Sequence, residues 1–280
     1  LLVDLVAHRI LGSGRAPLPL DTPDRAAAIR HCASLRADGQ PIQLKWRDLL
    51  LDPLDLRALG FDLSLHASGE GVLCAFVQRQ YEYVAGGVRV CAERGDTVID
   101  AGVCWGDTLL YFAHQTGPTG RVFGFEFVPS PLSVARTNLA RNPRHARHVE
   151  LVEHAVWETS GDALHYVDWG PGSRIVDASD PHDGHTTTLS IDDLVDRKGL
   201  DRVDFIKMDI EGAEAPALRG AMRSIKRFHP KLAISLYHSM SDFVDVPKII
   251  ESTGLRYRYY LAHHTPGVNE TVLFADPVRG

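Results

Sequence analysis

The chain has 280 residues, a formal net charge of −6, 44% hydrophobic and 24% charged residues. That length can bury a full core, as one large domain or as a domain with an extension. The absence of a lysine/arginine-rich block argues against a nucleic-acid partner. No apolar run reaches the roughly 18–20 residues that span a bilayer, so no membrane partner is expected, and no signal peptide is visible.

The four cysteines (Cys32, Cys74, Cys91, Cys104) are scattered, with no C-x-x-C pair. They read as free thiols of a cytoplasmic protein rather than as disulfides or a zinc site. The chain opens on Leu1-Leu2 without a methionine. That suggests a trimmed chain or a module of a larger one, with homo-oligomerisation left open.

Residues 1–94 read as a mainly helical extension, and 95–280 as the main domain. In the extension, Asp24–Leu35 has helical spacing behind the start signals Pro23 and Asp24. Asp52–Leu59, ended by Gly60, is a second helix candidate. Gly71–Ala85 is a third, broken by Gly86-Gly87. From residue 96 strands and helices alternate. Strands are expected at 97–100, 121–126, 149–156, 203–208 and 231–237. Helices follow at about 107–115, 129–141, 191–198, 213–228 and 246–252. Leu164–Val167 is a short strand candidate within a polar, turn-rich segment. Tyr257–Ala262 and Thr271–Ala275 close the chain as a hairpin. The alternation predicts a doubly wound α/β fold of Rossmann-like form. The hairpin would add an antiparallel strand to its parallel sheet.

The chain is organised around Thr97-Val98-Ile99-Asp100-Ala101-Gly102-Val103-Cys104-Trp105-Gly106. This is a strand running through a tight glycine turn into a helix, where α/β sheets bind ligands. The spacing is D-x-G-x-x-x-G. The G-x-G-x-x-G of a dinucleotide site is missing. An acid in the turn repels a pyrophosphate but suits a ligand with an ammonium group. Glu126, 20 positions after Gly106, ends the second strand where it can accept both hydroxyls of a ribose. The pair favours S-adenosylmethionine over NAD.

These segments carry a family resemblance, together with Glu153-His154-Ala155-Val156-Trp157, Asp204–Glu214, Leu236-Tyr237-His238, and His263-His264 ahead of Glu270-Thr271-Val272-Leu273. The chain resembles the FkbM-type S-adenosylmethionine-dependent methyltransferases over roughly residues 60–275. The Asp209–Glu214 segment is the most specific part. Cys104-Trp105 and Phe127 depart from the usual pattern.

The resemblance implies a seven-stranded sheet of order 3-2-1-4-5-7-6, strand seven antiparallel, and methyl transfer to a hydroxyl of a sugar, glycan or secondary metabolite. It places Asp100, Gly102 and Gly106 at the methionine end of the cofactor and Ala155, Val156 and Trp157 around the adenine. Tyr81 is a further candidate for the methionine moiety.

An alcohol acceptor needs help losing its proton. Asp209, at the end of the fourth strand, is the first candidate for base or substrate orienter. His238 after the fifth strand, and His263 in the hairpin loop, are the other catalytic candidates. No residue is assigned to a metal. A magnesium ion on the acids 209–214 is kept as a subsidiary reading. The other functions considered are an NAD-type oxidoreductase and a non-catalytic S-adenosylmethionine-binding module.

Overall fold

The computed structural model describes residues 1–12, 15, 16, 18, 23–44 and 48–278. The chain begins with α1 (Leu2–Leu11), α2 (Pro23–Ala33), β1 (Ile42–Gln43), β2 (Leu50–Asp55) and β3 (Ser64–Ala67). Next come α3 (Gly69–Val72), prolonged by one π-helical turn over Leu73–Val77, and the hairpin β4 (Tyr83–Ala85) and β5 (Val88–Val90).

Two expectations for this region are corrected. Residues 52–55 are strand, not helix. The helix-start signal lies three residues further on, where Asp55 accepts from the Arg57 amide and caps a short 3-10 turn ending at left-handed Gly60. The helix from residue 71 stops at Val77, and left-handed Arg79 (φ 51°) turns the chain toward β4. Gly86 and Gly87, both at positive φ, make the two-residue hairpin turn.

The main region continues with β6 (Thr97–Ala101), α4 (Asp107–Thr116), β7 (Arg121–Phe125), α5 (Pro129–Arg141), α6 (Pro143–Ala146) and β8 (Val149–Val152). Then come β9 (Ala155–Val156), β10 (Ala163–Val167), β11 (Arg174–Val176), β12 (Gly184–Leu189) and α7 (Ile191–Lys198). The last third holds β13 (Phe205–Met208), α8 (Glu214–Arg219), α9 (Met222–Phe228), β14 (Lys231–Ser235), α10 (Asp242–Glu251), β15 (Tyr257–His263) and β16 (Thr271–Pro277).

Seven strands form the central sheet, in the order β15-β16-β14-β13-β6-β7-β8. The five inner and far strands β14, β13, β6, β7 and β8 are parallel, and β16 runs antiparallel to both β14 and β15. Adjacent residues on the buried strands point to opposite faces. Val98, Phe205, Ala233 and Phe274 therefore join one core, with α4 and with Leu54, Leu56, Phe61 and Phe76 of the N-terminal region. Their neighbours Ile99, Ile206, Ile234 and Leu273 join the other core, under α7, α8, α9 and α10.

Two further expectations change. The third strand ends at Val152. Ala155–Val156 leaves the central sheet and pairs with β12 in a small sheet of order β11-β10-β12-β9. The helix expected over 213–228 is two helices. A Cβ on Gly220, between them, would lie 2.1 Å from the Trp157 carbonyl, so the chain opens there to let the Trp157 loop pass.

Candidate active site

The glycine turn after β6 is shaped by its neighbours. Gly102 has φ 86°, and a Cβ there would meet the Asp209 carbonyl oxygen at 1.9 Å. Only glycine allows the turns after β6 and β13 to touch. The Gly102 and Val103 amides both donate to the Phe125 carbonyl at 3.1 Å, which ties the turn to β7. Beneath it lies a buried pair: Lys207 Nζ is 3.0 Å from Asp100 Oδ1, and the two side chains are 1% and 0% exposed. The same ammonium donates to the carbonyls of Ala101 (3.1 Å) and Gly102 (2.6 Å). Burial works against the charge on Lys207, but Asp100 and Asp209 outweigh it, and its pKa is raised. Thr108 Oγ1 donates to the other Asp100 oxygen at 2.8 Å.

A cleft opens over the carboxyl ends of the strands. Gly102, Cys104, Glu126, Ala155, Val156 and Asp209 line it, with Phe127, Pro171 and Ile175 among the apolar walls. Glu126 is cradled by main-chain amides. Its Oε2 accepts from Cys104 (3.1 Å), and its Oε1 from Phe127 (2.8 Å) and Val128 (2.9 Å). Burial raises its pKa to about 7, against the pull of the three amides.

The acidic loop after β13 forms another part of the lining, through Asp209, Ile210, Glu211 and Ala213. Asp209 Oδ2 accepts from the Tyr81 hydroxyl at 2.7 Å and Oδ1 from the Tyr237 hydroxyl at 2.8 Å. Burial pushes this carboxyl up, yet Lys207, His238 and the two hydroxyls prevail and hold it below its ordinary value. Glu211 sits in the left-handed region (φ 54°) and Gly212 follows at φ 95°. Glu214, fully buried, accepts from the Ile210 amide at 2.8 Å and the Gly212 amide at 3.1 Å, holding this bent loop in place.

His238 completes the group. Its Nδ1 is 3.0 Å from Glu214 Oε1; its Nε2 is 3.4 Å from Glu211 Oε1 and 3.5 Å from Asp209 Oδ1. These are ion-pair distances without linear hydrogen-bond geometry. Burial opposes charge on the ring, but Glu211, Glu214 and Asp209 outweigh it and raise its pKa to about 11.

Comparison with known proteins fits this geometry. The family model described as "Methyltransferase FkbM domain" matches residues 90–259. The chain belongs to the FkbM methyltransferase family. A crystal structure of the FkbM methyltransferase from Methylobacillus flagellatus KT shares the fold, with TM-score 0.55 and 23% identity over 90% of this chain. This chain spans 59% of that protein's length. The Aeropyrum pernix fibrillarin with bound S-adenosyl-L-methionine overlaps 86% of this chain and 96% of its own, at 13% identity. Its TM-score of 0.44 is too low to carry an argument. No curated protein matches significantly.

Among the sites expected in this FkbM chain, Gly102, Glu126, Ala155, Val156 and Asp209 come together on the cleft. Asp100 does not reach it: its side chain points under the turn and is neutralised by Lys207. Gly106 (φ 82°) opens α4 and packs against Ala135, where a Cβ would be 3.2 Å away. Trp157 lies outside the lining, its carbonyl against Gly220. Tyr81 reaches Asp209 instead of the cleft. His263 is half-buried, with Nδ1 2.9 Å from Thr271 Oγ1, and is not part of the lining. Burial lowers its pKa.

Three participants were not singled out from sequence. Lys207 had a signal, a lysine inside the apolar strand Phe205–Met208. Tyr237 had none beyond its place in the family segments. Glu270 is the third. It has φ 60° and accepts from Gln80 Nε2 at 2.9 Å. Burial, then Asp209, raises its pKa to about 8.

Proposed function

We propose that this chain is an S-adenosylmethionine-dependent O-methyltransferase acting on a hydroxyl of a sugar, glycan or secondary metabolite. The observation that carries the reading is Glu126 on the cleft. Its carboxylate is held by three backbone amides, next to a glycine turn that has no room for a Cβ at Gly102. These residues fit the cofactor: Glu126 would take the ribose hydroxyls, Ala155 and Val156 would flank the adenine, and the Gly102 turn would face the methionine end. When bound, S-adenosylmethionine supplies an electrophilic methyl group.

The protein's part is alignment and exclusion of water, because displacement at carbon requires the nucleophile in line with the sulfonium. Asp209 is an orienting carboxylate rather than a base. Two tyrosine hydroxyls occupy it, and its pKa is depressed. The acidic loop on the same cleft supports an alcohol acceptor, whose proton must be made easier to lose. The formal charge of −6 favours a small or glycan acceptor over a nucleic acid.

The test is incubation with labelled S-adenosylmethionine and a panel of sugar and phenolic alcohols. The reading is supported by S-adenosylhomocysteine formed in step with a methylated acceptor. Tight cofactor binding with no turnover on any acceptor would favour the non-catalytic module.

A further inference from the structure

We infer that Asp209, Glu211 and His238 form a binding site for one divalent cation of the manganese or zinc class. The role assigned to it, holding the acceptor oxygen, rests on the methyl-transfer reading above. Three observations carry the site. First, one ligand atom from each of the three residues lies within 4.8 Å of the other two. Nε2 of His238 faces Glu211 and Asp209 oxygens at 3.4 and 3.5 Å, close to the spacing of neighbouring ligands around a single ion with bonds of about 2.0–2.2 Å.

Second, the His238 side chain is only 7% exposed, and its Nε2 makes no hydrogen bond. A buried nitrogen aimed between two carboxylates without a hydrogen-bond partner has the arrangement of a metal ligand.

Third, the other ring nitrogen lies beside a fixed carboxylate, at ion-pair distance and without hydrogen-bond alignment. Nδ1 lies 3.0 Å from Glu214, whose two oxygens are themselves fixed by the Ile210 and Gly212 amides. A carboxylate behind a ligating histidine favours the tautomer that leaves the other nitrogen free for the ion.

The position suits the cleft. Asp209 and Glu211 line it, while His238 lies outside the lining. An ion held by the three therefore has open coordination on the cleft side, where a bound hydroxyl becomes more acidic. Glu211 is 29% exposed, which gives the ion a route in. The donor set also selects the ion. Magnesium prefers oxygen ligands and retained water, whereas one imidazole with two carboxylates suits manganese or zinc.

Mn²⁺ titration of the purified chain without cofactor, followed by electron paramagnetic resonance, tests the site. Expected is one saturable equivalent, displaced by Zn²⁺, with affinity lowered at least about tenfold in Glu211→Gln and in His238→Ala. The Glu211→Gln variant keeps the fold measurable, because that side chain is 29% exposed and glutamine has nearly the same shape. Its thermal transition should match the parent. No saturable binding, or the same affinity in a folded Glu211→Gln, overturns the inference and leaves His238 as an imidazolium bridging carboxylates. Cofactor binding is measured separately by calorimetry, so failure of the cation site and failure of the methyl-transfer reading are told apart.

Discussion

Glu126 makes the cofactor site pH-sensitive in a direction that can be worked out. Burial raises its pKa in the free protein to about 7, from an ordinary 4.5. Ribose hydroxyls donate to the ionised form, so binding requires the carboxylate. At pH 6 about one molecule in eleven carries it, and at pH 8 about ten in eleven. Apparent affinity for S-adenosylhomocysteine should therefore rise about tenfold from pH 6 to pH 8, or about 1.4 kcal/mol. Stability of the free protein should move the other way. The folded state holds its proton more tightly than the unfolded chain between pH 4.5 and 7. Glu126 should then contribute a fall in unfolding free energy with rising pH across that window, about 3 kcal/mol in all, read as the difference between the parent and Glu126→Gln.

Calorimetric titrations at pH 6, 7 and 8, paired with urea unfolding at pH 5 and 8, measure both slopes. Glu126→Gln is the control. It should bind more weakly at pH 8, by about 1.5–3 kcal/mol, and any slope it retains belongs to the ligand's own amino group. Equal slopes in the parent and Glu126→Gln, or weaker parental binding at pH 8 than at pH 6, would refute the ribose assignment.

Other perturbations separate fold from site. Gly102→Ala puts a methyl 1.9 Å from the Asp209 carbonyl at φ 86°. It should cost about 2–5 kcal/mol in urea unfolding and weaken cofactor binding; unchanged binding would mean the two turns are not mutually fixed. Lys207→Met leaves Asp100 buried without its partner and should destabilise by about 3–5 kcal/mol. Adding Asp100→Asn should recover part of that loss, and strict additivity of the two variants would contradict the pairing. Tyr81→Phe and Tyr237→Phe each remove a hydroxyl from Asp209 and should each cost about 1–3 kcal/mol in unfolding experiments.

What the sequence revealed was local. The strand ending in Asp100-Ala101-Gly102, the strand ending at Glu126 and the closing hairpin are each carried by their own periodicity and turn residues. The main-sheet strands lie where the alternation placed them, give or take their ends. What it concealed depends on contacts between distant segments. Asp100 reads as a ligand-facing acid until Lys207 comes under it from β13. The 213–228 run reads as one helix until the Trp157 carbonyl arrives at Gly220. Residues 149–156 read as one strand, but β12 draws Ala155 and Val156 into the small sheet. Asp209 reads as a base or substrate orienter, and His238 as a base, because the groups that meet them are distant in the sequence. Folding gives Asp209 two tyrosine hydroxyls and surrounds His238 with three carboxylates.

The central claim is that the cleft between Gly102, Glu126 and Ala155 receives S-adenosylmethionine. One calorimetric comparison at pH 8, S-adenosylhomocysteine against NAD⁺, tests it most directly. Expected is saturable one-to-one binding of S-adenosylhomocysteine, weakened in Glu126→Gln, and no heat from NAD⁺. Saturable NAD⁺ binding with none for S-adenosylhomocysteine would contradict the assignment.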